Sequence, residues 1–506
     1  MKKQKQFSNR IYVLSFLVLG LLFFNFVGQQ GYLEMRDTAG YKTPGIEQGI
    51  MPLYPLFLNL IHLVCGNAYL TVAAFIQGII AAVCLTVFVY QIVTLFRLQK
   101  AEGYLLWIAC LLPFSIELPD YVITHMIYSE SLSYACYYLY VLCLLYAVVL
   151  RSGKWLCITF GMSLFMSLIR PQLLLLFIVW ALAVLYINLA AGGRKLWSFL
   201  KSLPVMAAGI VAGVVLAYSI RGFYVTTLDI IFINHFVAVE ENNVATEEIK
   251  AEADENQQQD EALTSTDKSA IMRANTAQIG SALIVRGFFE ADPEDIKYYK
   301  TEEMQDIFAR TYEKCDKKGY SYRYVGAGLW MWEDLTKPYI YDEVDEAISE
   351  YCNENNTNEP YANQNRIKLQ LGITEILVHP VRFLYHSFRL MIPGFISCVF
   401  FNIESVYLLC HIITLFLYLS ALTMAVITIR NTKCDSRTGA FMLMVVLGCL
   451  VFVGVTNMLF YGMQRYFLYQ IGIFYCAYYL VFRQMGMLFA QTQTGSRIVS
   501  KISRKR

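Results

Sequence analysis

Residues 171–191 read PQLLLLFIVWALAVLYINLAA, a run without a charged side chain. A helix crossing a hydrocarbon core of about 30 Å needs about 20 apolar residues, and this run has that length. Comparable runs lie on both sides of it, near residues 11–28, 68–96, 103–116, 129–150, 155–169, 203–220, 404–430, 440–461 and 465–483. Together they predict an all-α polytopic membrane protein with about ten spans. The runs at 103–116 and 155–169 are short and predict tilted or partly re-entrant helices.

Composition agrees. Of 506 residues, 57% are hydrophobic and 16% charged, whereas a soluble protein carries about 25% charge. Mean hydropathy is +0.45. The net charge of +2 gives no general attraction to nucleic acid. Most of the 13 cysteines, such as Cys84, Cys136, Cys143, Cys449 and Cys476, lie in apolar runs and read as small buried residues. In the large polar segment only Cys315 and Cys352 occur; they either pair in an oxidising compartment or stay free. No CxxC motif or Cys/His cluster indicates a metal. No cofactor is expected, and a divalent cation is left open.

Basic residues set the orientation. They cluster at Lys2, Lys3, Lys5 and Arg10, at Arg97 and Lys100, at Arg151 and Lys154, at Arg194 and Lys195, from Arg430 to Arg437, and at Lys501–Arg506. Ten spans place all of these in the cytoplasm, with both termini inside. The run Ile11–Val27 ends in Phe26-Val27-Gly28-Gln29, a poor cleavage sequence, so it reads as an uncleaved first span.

The expected organisation is a transmembrane module over 1–220, an extracytosolic, mainly helical insert over 221–378, and an interfacial helix over 379–403. Transmembrane helices over 404–484 and a basic tail over 485–506 follow. In the insert, residues 240–261 hold nine acidic residues against Lys250 and read as a flexible acidic loop. Residues 290–352 are aromatic-rich with helical patterning and read as a small folded domain. Asn355-Asn356-Thr357 matches a glycosylation sequon. The stretch from His379 to Arg389 is amphipathic and predicts a helix lying in the outer interface. Pro393-Gly394 is expected to end it, leaving 395–402 too short to cross. Residues 52–66 read as a second interfacial or half-buried helix on the same side.

Ionisable residues near a membrane each need a reason, because burial there costs about 2.5–3.5 kcal/mol. Four places stand out, all on the expected outer side. Met35-Arg36-Asp37-Thr38-Ala39-Gly40-Tyr41 precedes Tyr54-Pro55-Leu56. Asp37 is either a solvated loop acid paired with Arg36 or Lys42, or a general base for an acceptor hydroxyl. Asp120 precedes Ser129-Glu130-Ser131, where Glu130 either serves the helix N-terminus or faces a polar cavity. Arg170-Pro171 and Arg465-Tyr466 each offer a guanidinium that either snorkels to the interface or binds a phosphate. Arg382 and Arg389 add further outer cations. No serine elbow, P-loop, dinucleotide fingerprint or HExxH is present.

Taken in order, these features resemble the polytopic glycosyltransferases of the GT-C fold, of the protein O-mannosyltransferase and aminoarabinose-transferase type and their bacterial relatives. The matching residues are Asp37 with Tyr41, Tyr54-Pro55-Leu56, Ser129-Glu130-Ser131, Arg170-Pro171, His379-Pro380-Val381-Arg382 and Arg465-Tyr466. They cover most of 1–220 and 379–483. Many relatives carry Asp-Glu in the first outer loop where this chain has Asp37-Thr38. The resemblance implies sugar transfer from a polyprenyl-phosphate carrier to a cell-envelope glycan, lipid or protein acceptor, at the outer face of a bacterial plasma membrane. It implies Asp37 as catalytic base and Arg170 and Arg465 as donor-phosphate ligands. Tyr41, Tyr54, Asp120, Glu130, Tyr466 and Arg382 would support them. A lipid-linked polysaccharide polymerase or ligase, a glycan or lipid flippase, and a non-catalytic membrane partner are the competing readings.

Overall fold

The structure is a computed structural model. It describes residues 2–26, 31–34, 38–42, 50–115, 122–191, 195–232, 283–324, 340–355, 361–400, 407–459 and 466–491. About 89% of the described residues are helical. The only strands among the described residues are two-residue segments, β1 (Leu33–Glu34) and β2 (Met126–Ile127), paired in parallel.

Seven of the ten expected spans are helices long and apolar enough to cross a membrane. They fall on α4 (Tyr69–Leu95), which follows α3 (Leu53–Cys65), and on α6 (Ser129–Leu150), α8 (Leu176–Ala191) and α9 (Lys195–Phe223). The other three are α14 (Tyr407–Arg430), α15 (Ser436–Leu459) and α16 (Ile471–Ala490). The remaining expected runs are shorter: the apolar part of α1 (Lys2–Phe26), the 17-residue α7 (Gly153–Ile169) and the 12-residue α5 (Lys100–Leu111). In α9 only 11% of the apolar window is buried, and it exposes Val205, Val211 and Val215. Helix α14 exposes Leu415, Phe416 and Leu419. Water would not tolerate such contiguous apolar surface, whereas lipid would.

Helices α1, α4, α6, α7, α8 and α9 pack in a chain of neighbours. Helix α16 then closes the bundle against α5. There the sulfurs of Cys110 and Cys476 approach to 3.4 Å, and Gly472 leaves room for the Tyr138 hydroxyl. One end of the bundle is basic. Arg437 lies 5.9 Å from the Phe96 ring, and Glu102 accepts from Tyr479 and Arg483, both at 2.7 Å. Arg151 caps α6 there in a left-handed conformation (φ 48°), a cation at a helix C-terminus.

A second core gathers Ile284, Phe288, Phe308, Val344 and Leu371. It is built from helical residues 283–288, α10 (Glu302–Lys317), α11 (Ile340–Glu354), α12 (Tyr361–Val378) and α13 (Pro380–Ser397). Thr301 caps α10 by accepting from Met304 N at 3.3 Å. Met304, Ile307, Phe308, Thr311 and Cys315 then line one buried face. Within 290–352, the described residues 290–324 and 340–352 contribute side chains to this core. Gly287 and Gly372 let two helices meet at backbone distance: a Cβ on Gly372 would lie 2.6 Å from the Leu283 carbonyl carbon.

One alternative left open by the sequence is decided, and one expectation needs correction. Cys315 and Cys352 are both free thiols, and burial pushes the Cys315 thiol up. Pro393-Gly394 does not end the helix at 379–392; α13 runs through to Ser397. A proline within a helix removes one donor. Packing compensates, because Gly394 seats against Val453 and Asn457 of α15. The acidic loop at 240–261, Asn356 and Thr357 of the sequon and residues 492–506 of the tail lie outside the described residues. Asn355 is described and donates through Nδ2 to the Tyr351 carbonyl at 2.9 Å, and α16 continues past 485 to Ala490.

Candidate functional site

The end of the bundle opposite the basic one is where the predicted residues meet. Pro171 disfavours helical geometry for its predecessor, so α7 stops and Arg170 is extended (φ −151°, ψ 131°). Its guanidinium turns inward and pairs with Glu130 in the first turn of α6. The Glu130 side chain is fully buried, and that of Arg170 is 11% exposed. The guanidinium sits 4.8 Å from the Tyr466 ring centroid, within cation–π range. Gln172 holds the same segment by donating to the Tyr466 carbonyl at 3.3 Å.

On the other side of Glu130, Ser129 Oγ donates to its carboxylate at 3.1 Å. The Tyr41 hydroxyl lies 3.0 Å from Ser129 Oγ. Tyr41 is on α2 (Thr38–Lys42), the described part of the first loop. Its ring packs edge-on against Tyr54 at 5.0 Å. Tyr54 in turn donates to Gln77 Oε1 at 2.9 Å, and Gln77 Nε2 donates to the Thr124 carbonyl at 3.0 Å. Thr38 Oγ1 donates to the Ile127 carbonyl at 2.9 Å. A continuous polar chain therefore links α2, α3, α4, α6, the α7–α8 turn and the segment entering α16.

Below this layer an apolar groove of about 470 Å³ runs between α3, α4, α6 and α7. Leu56, Leu60, Cys84, Leu132, Cys136 and Phe165 are among its walls. Leu132, Cys136 and Leu139 share one face of α6, and Glu130, two residues before Leu132, is turned about 160° away, so the groove lies on the other face of α6 from the ion pair.

Of the predicted residues, Tyr41, Tyr54, Glu130, Arg170 and Tyr466 are brought together. Asp37, Asp120 and Arg465 lie outside the described residues. Their described neighbours Thr38 and Tyr466 belong to the cluster. Arg382 is elsewhere. It lies 3.8 Å over the Tyr322 ring, donates to the Glu290 carbonyl at 2.6 Å and pairs with Asp292 at 3.0 Å. It fastens α13 to the second core. Burial alone would raise the Asp292 carboxyl, but hydrogen bonds from Tyr322, Arg323 and Arg382 hold it at about 2. Sequence reasoning missed Gln77, Ser133 and Tyr469. Ser133 and Tyr469 share a 2.7 Å hydrogen bond, and Tyr469 also adjoins Arg170. A lone glutamine inside the 68–96 run was the available signal for Gln77.

The architecture is helical, with seven segments among the described residues long and apolar enough to span a membrane. No known protein family, curated protein or solved structure matches the chain.

Proposed function

We propose that the protein is a membrane glycosyltransferase that moves a sugar from a polyprenyl-phosphate donor to an envelope acceptor. The observation carrying this reading is the buried Glu130–Arg170 pair, with the Tyr466 ring against the guanidinium. A lipid phosphate needs cationic donors and its chain needs an apolar path; Arg170 supplies the cation, and the apolar groove on the other face of α6 is a candidate path. A guanidinium has five N–H donors, more than one carboxylate uses, and Glu130 keeps it charged and oriented.

In the proposed reaction the acceptor hydroxyl oxygen bonds to the anomeric carbon. The carbon–oxygen bond to phosphate breaks, and polyprenyl phosphate leaves. The hydroxyl proton passes to Asp37, which precedes Thr38 in the chain. Arg170 and Arg465 stabilise the leaving phosphate. The same reading takes ten spans, both termini and the basic end in the cytoplasm, and the 221–378 insert outside a bacterial plasma membrane. Helix α13 presents Val381, Leu384, Tyr385 and Phe388 outward, which supports its lying at the outer interface.

The test uses the full chain in liposomes, radiolabelled polyprenyl-phosphate hexoses and an envelope extract as acceptor. Labelled product that disappears in Asp37→Asn, at unchanged expression, is the expected result. Near-wild-type transfer by that variant removes the catalytic assignment. Label crossing the vesicle wall without a new glycosidic bond makes the protein a transporter instead.

A further inference from the structure

Where the second core meets α13, four potential metal ligands converge. His379, the residue joining α12 to α13, places Nε2 2.6 Å from Asp295 Oδ2 and 4.0 Å from Asp292 Oδ2. The ligand atoms of Asp292, Asp295 and His379 all lie within 4.8 Å of one another. Asp292 and Asp295 are held at that spacing by the capping box of the 3₁₀ turn Pro293–Tyr298, in which Asp292 N donates to Asp295 Oδ2 at 2.7 Å. Glu375, one helical turn before His379, enters from the interior and is fully buried. Its Oε1 accepts from Tyr299 at 2.5 Å. Its Oε2 is buried without a donor and adjoins the Asp295 carboxylate.

Two buried carboxylates in contact repel unless something positive lies between them. Arg323 and Arg382 engage Asp292, at the rim, at 2.6 and 3.0 Å. On the Asp295–Glu375 side the direct contacts are the Asp292 N–H, the Tyr299 hydroxyl and the His379 ring, none of them a fixed positive charge. We infer that Asp295, Glu375 and His379, with Asp292 at the rim, form a binding site for a divalent transition-metal cation such as Zn²⁺ or Mn²⁺. One imidazole nitrogen with carboxylate oxygens is a donor set for those ions, whereas Ca²⁺ takes oxygen alone. The cation would take the place of the direct His379–Asp295 contact. It would pin the α12–α13 junction to the 293–298 turn. The site is independent of the transferase reading.

The test takes the purified full chain, stripped with chelator and titrated separately with Zn²⁺, Mn²⁺ and Ca²⁺. Metal content per chain and thermal unfolding are measured. One Zn²⁺ or Mn²⁺ per chain is expected, with a rise in Tm of several degrees that chelator reverses. His379→Gln and Glu375→Gln should each lose both effects, while Glu350→Gln, at an exposed acid on α11, keeps them. A wild-type chain that takes up no stoichiometric ion and shows no shift in Tm overturns the inference; the four residues are then a hydrogen-bonded network without an ion. Retention of the ion by the two variants overturns it as well.

Discussion

The hydroxyls of Tyr41 and Ser129 lie 3.0 Å apart although 88 positions separate them in sequence. That contact fixes α2 to the start of α6, next to the Glu130 carboxylate. Tyr41→Phe keeps the ring packing against Tyr54 and removes only the hydroxyl. A cost of about 0.5–1.5 kcal/mol is expected, read as a small fall in Tm. Transfer should fall more than stability does, since the loop bearing Asp37 loses its tie. Equal losses in both would make Tyr41 merely structural.

The Glu130–Arg170 pair is buried, so removing one partner leaves an uncompensated charge. Glu130→Gln should destabilise by about 3–5 kcal/mol, seen in thermal unfolding and in yield. Replacing both partners by apolar residues, as in Glu130→Leu with Arg170→Met, should recover much of that stability, because two isosteric apolar groups remove the desolvation penalty. Transfer should stay absent in the double variant. Activity there would show that the pair has no part in the chemistry.

The groove gives a separate handle on the lipid. Leu60 lines it and is half exposed. Leu60→Trp should partly fill it at little cost to folding. The expected outcome is a raised KM for a long-chain donor, a smaller effect on a short-chain analogue and an unchanged Tm. Identical effects on both donors would remove the groove from the lipid path.

Gly372→Ala tests the second core. The added methyl would meet the backbone of Leu283 and Ile284, which cannot rotate away as a side chain can. Overpacking of this kind costs about 1–3 kcal/mol. Limited proteolysis should cut more rapidly between 283 and 324, with the bundle helices still protected. Wild-type resistance would mean that the two helices are not held at this spacing.

Much of the bundle was legible because an apolar run of about 20 residues has few stable alternatives. Ser129–Leu150 is the plainest example: the helix coincides with the run. Arg170 was legible as an oddity, since a cation between two apolar runs demands a partner. Its pairing with Glu130, 40 positions earlier, was not, because only the packing of α6 on α7 decides it. The continuity of α13 was hidden for the same reason. Proline and glycine at 393 and 394 read locally as a break, and the surface of α15 that supports them is far away in sequence. Gln77 escaped notice because one amide among aliphatics hardly changes a hydropathy average, yet it positions Tyr54.

Helix α13 is shared by both cores: Leu390 is buried in the second, while Met391, Phe395 and Cys398 pack in the first. The second core is therefore geared to the bundle, with no slack hinge at this junction. A tilt of that core would turn α13 against α15 as a lever turns on its fulcrum. Because α15 leads into the segment carrying Tyr466, the motion would arrive at the ring under Arg170. Loading something onto the second core and reshaping the buried ion pair then become two ends of one mechanical movement.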